Sequence, residues 1–361
     1  MESAMAELVR RAAPDWNFTV IACRLAPDLR PLVTWRRVRV PSRPFVLRFL
    51  AFGIIAAPKV ARADHGLVHT LGAIVPTRAD IASIHYCHAG APADVRSTGS
   101  PVSRLRRANS RVTRWCSVAA ERWCYRPNRL QRFAVVSPGL AHEVSHAYPG
   151  IPISLTPNGV DIERFAPDPG VRAAVRREEG VGGEVVILFV GGDWRRKGLA
   201  VTIAAIGRLV RNDAPVRLWV VGQGDEARYR RLADDAGIGD RVTFFGFRSD
   251  RERFFRAADV FTLPTRYETF CIAAFEAAAA GLPLVMTDVN DVGALVRDGT
   301  GGALVDANAD AVADALAVLV ADPARRAVDG SAARERAAGY SWAASAASVV
   351  AVYRELSGST R

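Results

Sequence analysis

A strand that runs directly into a helix constrains the fold of this chain more than any other feature. The sequence VFTLP predicts a strand over 260–264, and the Ala-rich stretch after it predicts a helix that ends at Gly281. Parallel sheets are built from units of this kind, and they bind ligands at the carboxyl ends of their strands. Glu268 lies just before the predicted helix, and Glu276 lies inside it.

The start of this helix predicts an anion site. The backbone N–H groups of Phe270, Cys271 and Ile272 carry the positive end of the helix dipole, which suits a diphosphate. At about 1.5 Å per residue, Glu276 lies roughly 9 Å beyond this end, where the ribose of a nucleotide would fall. Glu268 and Glu276 are therefore candidates for binding a sugar and a ribose. The alternative is a pair of solvated acids that flank a core helix.

A second strand-to-helix turn lies upstream, in VVILFVGGDWRRKGL at 185–199. Gly191 and Gly192 follow the predicted strand, and Arg196 and Lys197 stand at the entrance of the next helix, which predicts another anion site. Of the 48 basic residues only two are lysines, so a lysine at this turn departs from a strong preference for arginine. A solvent-facing charge remains the alternative for Lys197.

Seven segments together resemble the retaining glycosyltransferases of family 4, which have the GT-B fold. They are SPGLAHEV (137–144), PNGVDIERFAP (157–167), FVGGDWRRKG (189–198), WVVGQGD (219–225), VTFFGFRSD (242–250), the Glu268–Glu276 segment and YSWAASAASVVAVYREL (340–356). The two glutamates with their flanks and the PNGVD turn are specific in combination. The other segments, taken singly, are ordinary strand-turn signals.

The resemblance implies an α/β chain with two doubly wound Rossmann-like domains that face a cleft. We expect an acceptor-binding domain over 1–165, a nucleotide-sugar-binding domain over 166–340, and a final helix over 341–361 that crosses back to the first domain. A length of 361 residues with 50% apolar content also favours two domains. The segment near 160–185, which begins with residues rich in Pro and Asp, is expected to be a linker.

The resemblance also implies roles for individual residues. Glu268 would orient the transferred sugar, His85 would contact that sugar, and Arg196 and Lys197 would stabilise the leaving phosphate. His88 lies close enough to His85 to leave the histidine match open, and a histidine at a strand end is often only hydrogen-bonded in place. The remaining donor-binding candidates are Glu276, Phe270, Cys271, Ile272, Gly191, Gly192, Gly222, Phe247 and Arg248, the last two packing the base.

Retaining enzymes of this type are thought to react on one face of the sugar, with the departing phosphate oxygen taking the acceptor proton. No two aspartates in the chain are separated by one residue, so the Asp-x-Asp metal-binding pair of other glycosyltransferases is missing. The resemblance implies a UDP- or GDP-linked sugar as co-substrate, and the missing pair predicts that no metal is needed; we expect no other cofactor. The charge of the phosphates would be neutralised by Arg196, Lys197 and the helix end.

The beginning of the chain departs from the family pattern. Family members open with a strand and a Gly-rich turn, whereas MAELVRRAAPDW at 5–16 predicts a helix, and the first glycine is Gly53. Either the start site is misplaced or the first sheet lacks its central strand. Each buried ladder group left unsatisfied by such a gap would cost about 1–3 kcal/mol.

Positive charge is concentrated in the first half of the chain. Residues 1–165 contain 23 Arg and Lys against 11 Asp and Glu, and the remainder contains 25 against 26. Helical spacing places several arginines on one face. They are Arg104, Arg107, Arg111 and Arg114, extended by Arg122, Arg126 and Arg129. The stripe predicts contact with an anionic acceptor or an anionic membrane, and a solvated helix face is the alternative.

Nucleic acid is not expected as a partner, because no zinc-ligand spacing, RNP-type aromatic pattern or helix-turn-helix accompanies the arginines. The acceptor is expected to be a glycan, a lipid-linked molecule or another small molecule. Two other functions stay open on the same architecture. One is a non-catalytic or truncated partner protein, and the other is a sugar phosphorylase or epimerase.

The apolar run FLAFGIIAAPKV at 49–60 is too short to span a bilayer and predicts a buried helix, with a position at a membrane interface as the alternative. No secretory signal is recognisable, and five scattered cysteines without CxxC spacing are typical of a reducing compartment. We therefore expect a cytoplasmic protein that can bind the inner face of the membrane peripherally. Cys271 would have either a lowered pKa beside the helix end or, as we prefer, the role of a small side chain.

Overall fold

The computed structural model describes residues 2–42, 44–63, 66–92, 104–290 and 292–358, with positions 2, 3, 104–108 and 292 described by backbone alone. The chain divides into two compact units. Unit 1 comprises Met1–Gly159 and Trp342–Arg361, and unit 2 comprises Val160–Ser341. The first division falls six residues before the expected boundary, and the final helix belongs to unit 1.

Helices and strands alternate along the chain. The helices are α1 (Glu2–Ala12), α2 (Phe45–Ala61), α3 (Arg104–Cys124), α4 (Pro138–Ala147), α5 (Ile162–Phe165), α6 (Pro169–Glu178), α7 (Leu199–Arg211), α8 (Glu226–Asp235), α9 (Glu252–Ala257), α10 (Ile272–Ala279), α11 (Ala309–Ala321), α12 (Pro323–Ala338) and α13 (Trp342–Gly358). The strands are β1 (Phe18–Ala22), β2 (Val33–Arg37), β3 (His69–Leu71), β4 (Ala79–Ile84), β5 (Leu130–Val135), β6 (Ile153–Leu155), β7 (Val185–Val190), β8 (Val216–Val221), β9 (Val242–Gly246), β10 (Val260–Leu263), β11 (Leu284–Met286) and β12 (Gly302–Leu304).

Unit 2 is a doubly wound domain around one parallel sheet, with the strand order β12-β11-β10-β7-β8-β9. The order reverses between β7 and β10, which pair directly through Val260 with Ile187 and Phe261 with Leu188. Every residue of β7 and β10 is buried, as expected for strands covered on both faces. The turns that follow these two strands therefore meet at the switch point of the sheet, where open α/β sheets bind ligands.

Unit 1 divides its strands between two parallel sheets, β1-β2 and β3-β4-β5-β6. In the part of the chain that the structure describes, no strand pairs with both sheets. The sheets share a core, because Phe18 of β1 and Ile81 of β4 pack in the same cluster. Leu8 of α1 and Val352 of α13 belong to that cluster too, so the first and last helices join the sheets together.

The segment expected to be a linker instead forms α5 and α6. The aspartates that suggested a linker are helix N-caps: the Asp161 side chain accepts from the Arg164 amide at 3.0 Å, and that of Asp168 accepts from the Val171 amide at 2.9 Å. Aspartate and proline, the residues on which the linker prediction rested, are frequent in turns and at helix starts alike. Composition therefore could not distinguish a linker from capped helices.

The apolar run at 49–60 forms most of α2, but the prediction of a buried helix is wrong for one of its faces. The structure describes all of α2, in which Gly53 and Ala56 are buried while Leu50 and Ile54 are 49% and 71% exposed. Among the described residues, the helix packs on the core of unit 1 through the side that carries Ala56 and Phe52. Across the described ranges, no helix is both long enough and apolar enough to cross a membrane.

Candidate active site

The turns after β7 and β10 are pressed together at the switch point of unit 2. Gly198, at the start of α7, has a φ of 81°, and a Cβ atom there would lie 2.1 Å from the carbonyl oxygen of Pro264. The Arg266 amide donates to the Arg196 carbonyl at 2.9 Å, which ties the two turns through their backbones. Side chains from segments about 70 residues apart in sequence are thereby brought within contact distance.

Glu268 lies at this junction between two cations. Its Oε1 accepts from Lys197 Nζ at 2.5 Å and from Arg196 Nη1 at 3.0 Å. The buried hydroxyl of Thr265 lies 3.3 Å from the same oxygen, and Glu268 is 8% exposed. A carboxylate so far from water keeps its charge only with partners of this kind. Three of the predicted catalytic residues therefore form one cluster, and the solvated alternative for Lys197 and Glu268 is wrong.

Glycines make this cluster sterically feasible. Gly191 has a φ of 142°, and a Cβ atom there would lie 2.6 Å from Cδ and Cε of Lys197. A Cβ atom at Gly222 would lie 2.1 Å from the Gly191 carbonyl oxygen. At Gly192 the nearest atom would be the Gln223 carbonyl oxygen at 3.5 Å, an ordinary contact. Gly191 and Gly222 are thus required for the path of the lysine, whereas Gly192 is not required on steric grounds.

The start of α10 has an unusual backbone. Cys271 is the N-cap residue and has a φ of 30°, a left-handed conformation that non-glycine residues rarely adopt. Strain of this kind persists where the surrounding structure imposes it, and it is frequent at binding sites. Phe270 and Cys271 precede the helix, Ile272 is its first residue, and the ring of Phe270 stacks on Phe275 at 4.4 Å.

Cys271 is buried, and burial, with a further contribution from Glu268, raises the pKa of its thiol to about 12. The alternative of a lowered pKa at the helix end is therefore wrong. Burial outweighs the helix end and the cations Lys197 and Arg196, whose effects lower the pKa. The preferred interpretation, a small side chain beside the site, agrees with this environment.

Glu276 has a partner that the sequence analysis missed. It is 4% exposed, and Arg251 donates to its two oxygens from Nε at 3.0 Å and from Nη2 at 2.5 Å. Burial raises the pKa of Glu276, and the two-bond contact with Arg251 opposes that rise. The sequence places Arg251 immediately before α9, but the contact of α9 with α10, which brings Arg251 to Glu276, is seen only in the structure.

Phe247 and Arg248 lie just after β9. Phe247 is 70% exposed, and Arg248 forms a two-bond ion pair with Asp250 at 2.9 and 2.8 Å. The guanidinium of Arg248 also lies 5.3 Å from the centre of the Phe254 ring. Packing of a nucleotide base by these residues stays a prediction.

His85 is the candidate site residue in unit 1, one position beyond the end of β4. Its Nε2 lies 3.1 Å from Oδ1 of Asn158, and since this oxygen can only accept, Nε2 carries the proton. Burial lowers the pKa of His85 to about 4, so the ring is neutral at pH 7. Its Nδ1 is buried without a hydrogen-bond partner among the described residues. His85 lines a cavity of about 20 Å³, together with Leu71, Ser83 and Thr156.

His88 lies in different surroundings from His85. Its backbone N–H donates to Glu121 at 2.8 Å, and its ring packs edge-on against Tyr86 at 4.9 Å. Burial lowers its pKa, against the opposing effect of Glu121. Because His85 and not His88 lines the cavity, the geometry favours His85 as the candidate, and its contact with a sugar stays a prediction.

The arginine stripe lies on α3 and the turn after it, which confirms the predicted helix. Arg111 and Arg122 are exposed, and Arg126 and Arg129 follow the helix. The side chains of Arg104 and Arg107 lie outside the described residues.

The fold of the two units is that of the GT-B glycosyltransferases. The crystal structure of WaaG, a glycosyltransferase involved in lipopolysaccharide biosynthesis, aligns with a TM-score of 0.76 and 20% identity, covering 97% of this chain and 95% of WaaG. The model for Glycosyltransferase Family 4 matches residues 1–164, and the model for Glycosyl transferases group 1 matches residues 184–322. Since these two models together match most of the chain, it belongs to the glycosyltransferase family that they describe.

Two curated relatives are more similar in sequence. A D-inositol 3-phosphate glycosyltransferase from Nocardia farcinica is 36% identical over 213 residues, covering 56% of this chain and 47% of the relative. A GDP-mannose-dependent alpha-(1-6)-phosphatidylinositol monomannoside mannosyltransferase from Mycolicibacterium smegmatis is 34% identical over 197 residues, covering 52% of each. The chain thus spans about half the length of the curated relatives it matches.

Proposed function

We propose that this chain transfers a sugar from a UDP- or GDP-linked donor to an anionic acceptor, with retention of configuration and without a metal ion. The observation that carries the proposal is the buried Glu268 carboxylate with Lys197 at 2.5 Å and Arg196 at 3.0 Å, at the switch point of the unit 2 sheet. This cluster supplies the two groups that the chemistry needs. They are a carboxylate that can bind sugar hydroxyls and cations that can bind a phosphate.

The donor's diphosphate would bind Arg196, Lys197 and the amides at the start of α10. Two cations and a helix end stabilise the negative charge that develops on the leaving phosphate. Glu276 would accept hydrogen bonds from the ribose hydroxyls, held in position by the two bonds from Arg251. Independence from metal rests on these cations and on the lack of an Asp-x-Asp pair in the sequence.

In the transfer step, the bond between the anomeric carbon and the phosphate oxygen breaks, and the electron pair leaves with the nucleoside diphosphate. The acceptor oxygen forms its bond on the same face of the sugar, and its proton passes to the departing phosphate oxygen. Glu268 would hold the sugar hydroxyls and favour the positive charge that develops on the ring. His85, neutral and with its Nε2 already bonded to Asn158, would accept a hydrogen bond from a sugar hydroxyl at Nδ1.

An inositol phosphate or a phosphatidylinositol lipid is the acceptor class we propose. The two relatives described above act, by their names, on such molecules. The excess of arginine in residues 1–165 suits an anionic acceptor of this kind. All five cysteines are free thiols, which fits the cytoplasmic side of the membrane as the place of reaction.

The test is a transfer assay with UDP- and GDP-sugars and with inositol phosphate or phosphatidylinositol as acceptor, with and without EDTA. We expect product with one donor in EDTA, and Glu268→Gln should lower kcat about 100- to 1,000-fold, as removal of a transition-state contact does. Glu226→Gln is the matched control, because the Glu226 side chain forms an exposed ion pair with Arg230.

A requirement for added metal would contradict the mechanism, and an unchanged rate in Glu268→Gln would contradict the site. Donor binding without transfer to any acceptor would favour a non-catalytic partner protein. Phosphate-dependent cleavage, or an altered sugar formed without acceptor, would favour a phosphorylase or an epimerase.

A further inference from the structure

Helix α2 is apolar on both of its faces although it lies at the surface of unit 1. One face packs on a core cluster through Ala56, together with Phe52. On the opposite face Leu47, Leu50 and Ile54 follow one another at helical spacing, and they are 50%, 49% and 71% exposed. A helix that is apolar all round is normally covered, so this exposed face implies an apolar environment.

Helix α3 and the turn that follows it present tryptophan beside arginine. Trp115 is 72% exposed and Trp123 is 44% exposed. The guanidinium groups of Arg126 and Arg129 lie 5.1 and 4.1 Å from the centre of the Trp123 ring. Tryptophan and arginine in this combination are typical of the boundary between lipid chains and headgroups, where the ring is partly buried and the cation meets phosphate.

The two features adjoin one another in unit 1. Helices α2 and α3 are in contact, and both approach the segment 74–76. Gly53 of α2 lies close to the Ile74 carbonyl and to the Pro76 ring. Cys124, at the end of α3, donates its thiol hydrogen to the Val75 carbonyl, and Arg129 donates to the Pro76 carbonyl at 3.4 Å. The apolar helix and the Trp–Arg group are therefore neighbouring parts of one region.

We propose that this region binds the surface of an anionic phospholipid bilayer. We call it the α2–α3 surface, and it consists of Leu47, Leu50, Ile54, Trp115, Trp123 and the Arg126–Arg129 turn. The apolar side chains would enter the outer part of the hydrocarbon, and the arginines would contact lipid phosphates. This lipid binding is separate from sugar transfer and stands without it.

Charge decides between a bilayer and a second copy of the chain as the occupant. Residues 1–165 carry 23 basic against 11 acidic residues, so two copies of this half would repel one another. An anionic bilayer complements both properties of the surface at once, because its headgroups are negative and its interior is apolar.

Vesicle sedimentation tests the proposal with the full chain. Wild-type protein should bind vesicles of phosphatidylcholine mixed with phosphatidylglycerol, bind pure phosphatidylcholine weakly, and be released by high salt. The double variant Leu50→Gln/Ile54→Gln should lose at least about tenfold in lipid partitioning. Arg126→Gln/Arg129→Gln should lose about fivefold per arginine on the anionic vesicles.

The matched control is Val318→Gln/Val328→Gln, which makes the same kind of change at residues of unit 2 that are 58% and 57% exposed. This variant should bind as the wild type does. Equal losses in the control and in Leu50→Gln/Ile54→Gln would overturn the proposal. So would a wild-type protein that ignores anionic vesicles, or one that dimerises without lipid through the same α2 side chains.

A measurement on the wild type keeps the test independent of variant folding. Phospholipids with brominated acyl chains should quench the tryptophan fluorescence on binding, because Trp115 lies 72% exposed on this surface. Binding without quenching would show attachment through headgroups alone and would overturn the insertion of the α2–α3 surface.

Discussion

The two units hold their candidate site residues in different ways. Unit 2 has one six-stranded sheet, and its central strands β7 and β10 are buried at every residue. Unit 1 divides its strands between two sheets, and each residue of β1 and β2 is at least partly exposed. In unit 2 the site depends on close backbone approach, as between Gly198 and Pro264. In unit 1 the site depends on side-chain contacts. For example, the Tyr353 hydroxyl of α13 lies 2.6 Å from Nδ1 of His69.

The charges of the two regions differ as well. In unit 2 the buried acids Glu268 and Glu276 each have a cationic partner within 3.0 Å. In unit 1 the histidines His69 and His85 are neutral, because burial lowers their pKa values to about 3 and about 4. We therefore expect the unit 2 site to be sensitive to backbone bulk and ion pairing, and unit 1 to be sensitive to acid.

The largest effect of a backbone substitution is expected at the close contact in unit 2. Gly191→Ala places a Cβ atom 2.6 Å from the Lys197 side chain and displaces the lysine from Glu268. A displacement of about 1 Å at a reacting group lowers kcat/KM about 100-fold. The measurement is steady-state transfer with the preferred donor. Gly183→Ala, in open space just before β7, is the matched control and should retain full activity.

Stability at low pH provides a second comparison between the units. Below pH 6.5 the unfolded chain gains a proton at His69, whereas the folded chain gains it only near pH 3, so falling pH favours unfolding. Between pH 7.5 and pH 5.0 this histidine should lower the free energy of unfolding by about 2 kcal/mol.

The measurement compares urea unfolding of the wild type and of His69→Gln at those two pH values. Glutamine cannot take up the proton. The change in the free energy of unfolding between the two pH values should therefore be about 2 kcal/mol smaller in the variant. If the free energy of unfolding changed equally with pH in both proteins, His69 would not be the residue that gains a proton on unfolding.

His85→Ala should affect turnover more than stability. Loss of one neutral hydrogen bond to the substrate lowers kcat about tenfold, since about 1.4 kcal/mol corresponds to a factor of ten. The control is His142→Ala, an exposed histidine on α4 of the same unit. Equal rates in both variants would remove His85 from the site and leave it as a hydrogen-bonded residue beside Asn158.

The smallest effect is expected at the residue that the sequence analysis missed. Arg251→Lys keeps the charge beside Glu276 but cannot form the two parallel bonds of the guanidinium. The KM for the donor should rise roughly fivefold with kcat nearly unchanged, because the contact serves binding and not the reacting bond. A fall in kcat without a change in KM would contradict a role at the ribose.

Much of unit 2 could be predicted from local pattern. The strand before Glu268, the helix that contains Glu276 and the helix after Lys197 all lie as their periodicity and propensity indicate. The first helix of unit 1 was also visible, since the helical pattern at 5–16 overlaps α1. The exposure of α2 was not, because an apolar run gives the same signal whether its second face is covered by protein or not.

The sequence by itself determined which elements form and which residue types stand at the strand ends, because helix and strand signals act between near neighbours along the chain. Only the tertiary structure decided the partners: Lys197 with Glu268, Arg251 with Glu276, and His85 with Asn158. These contacts join segments 25 to 73 residues apart. Strand order and the close approach of turns set them, and no local pattern encodes either.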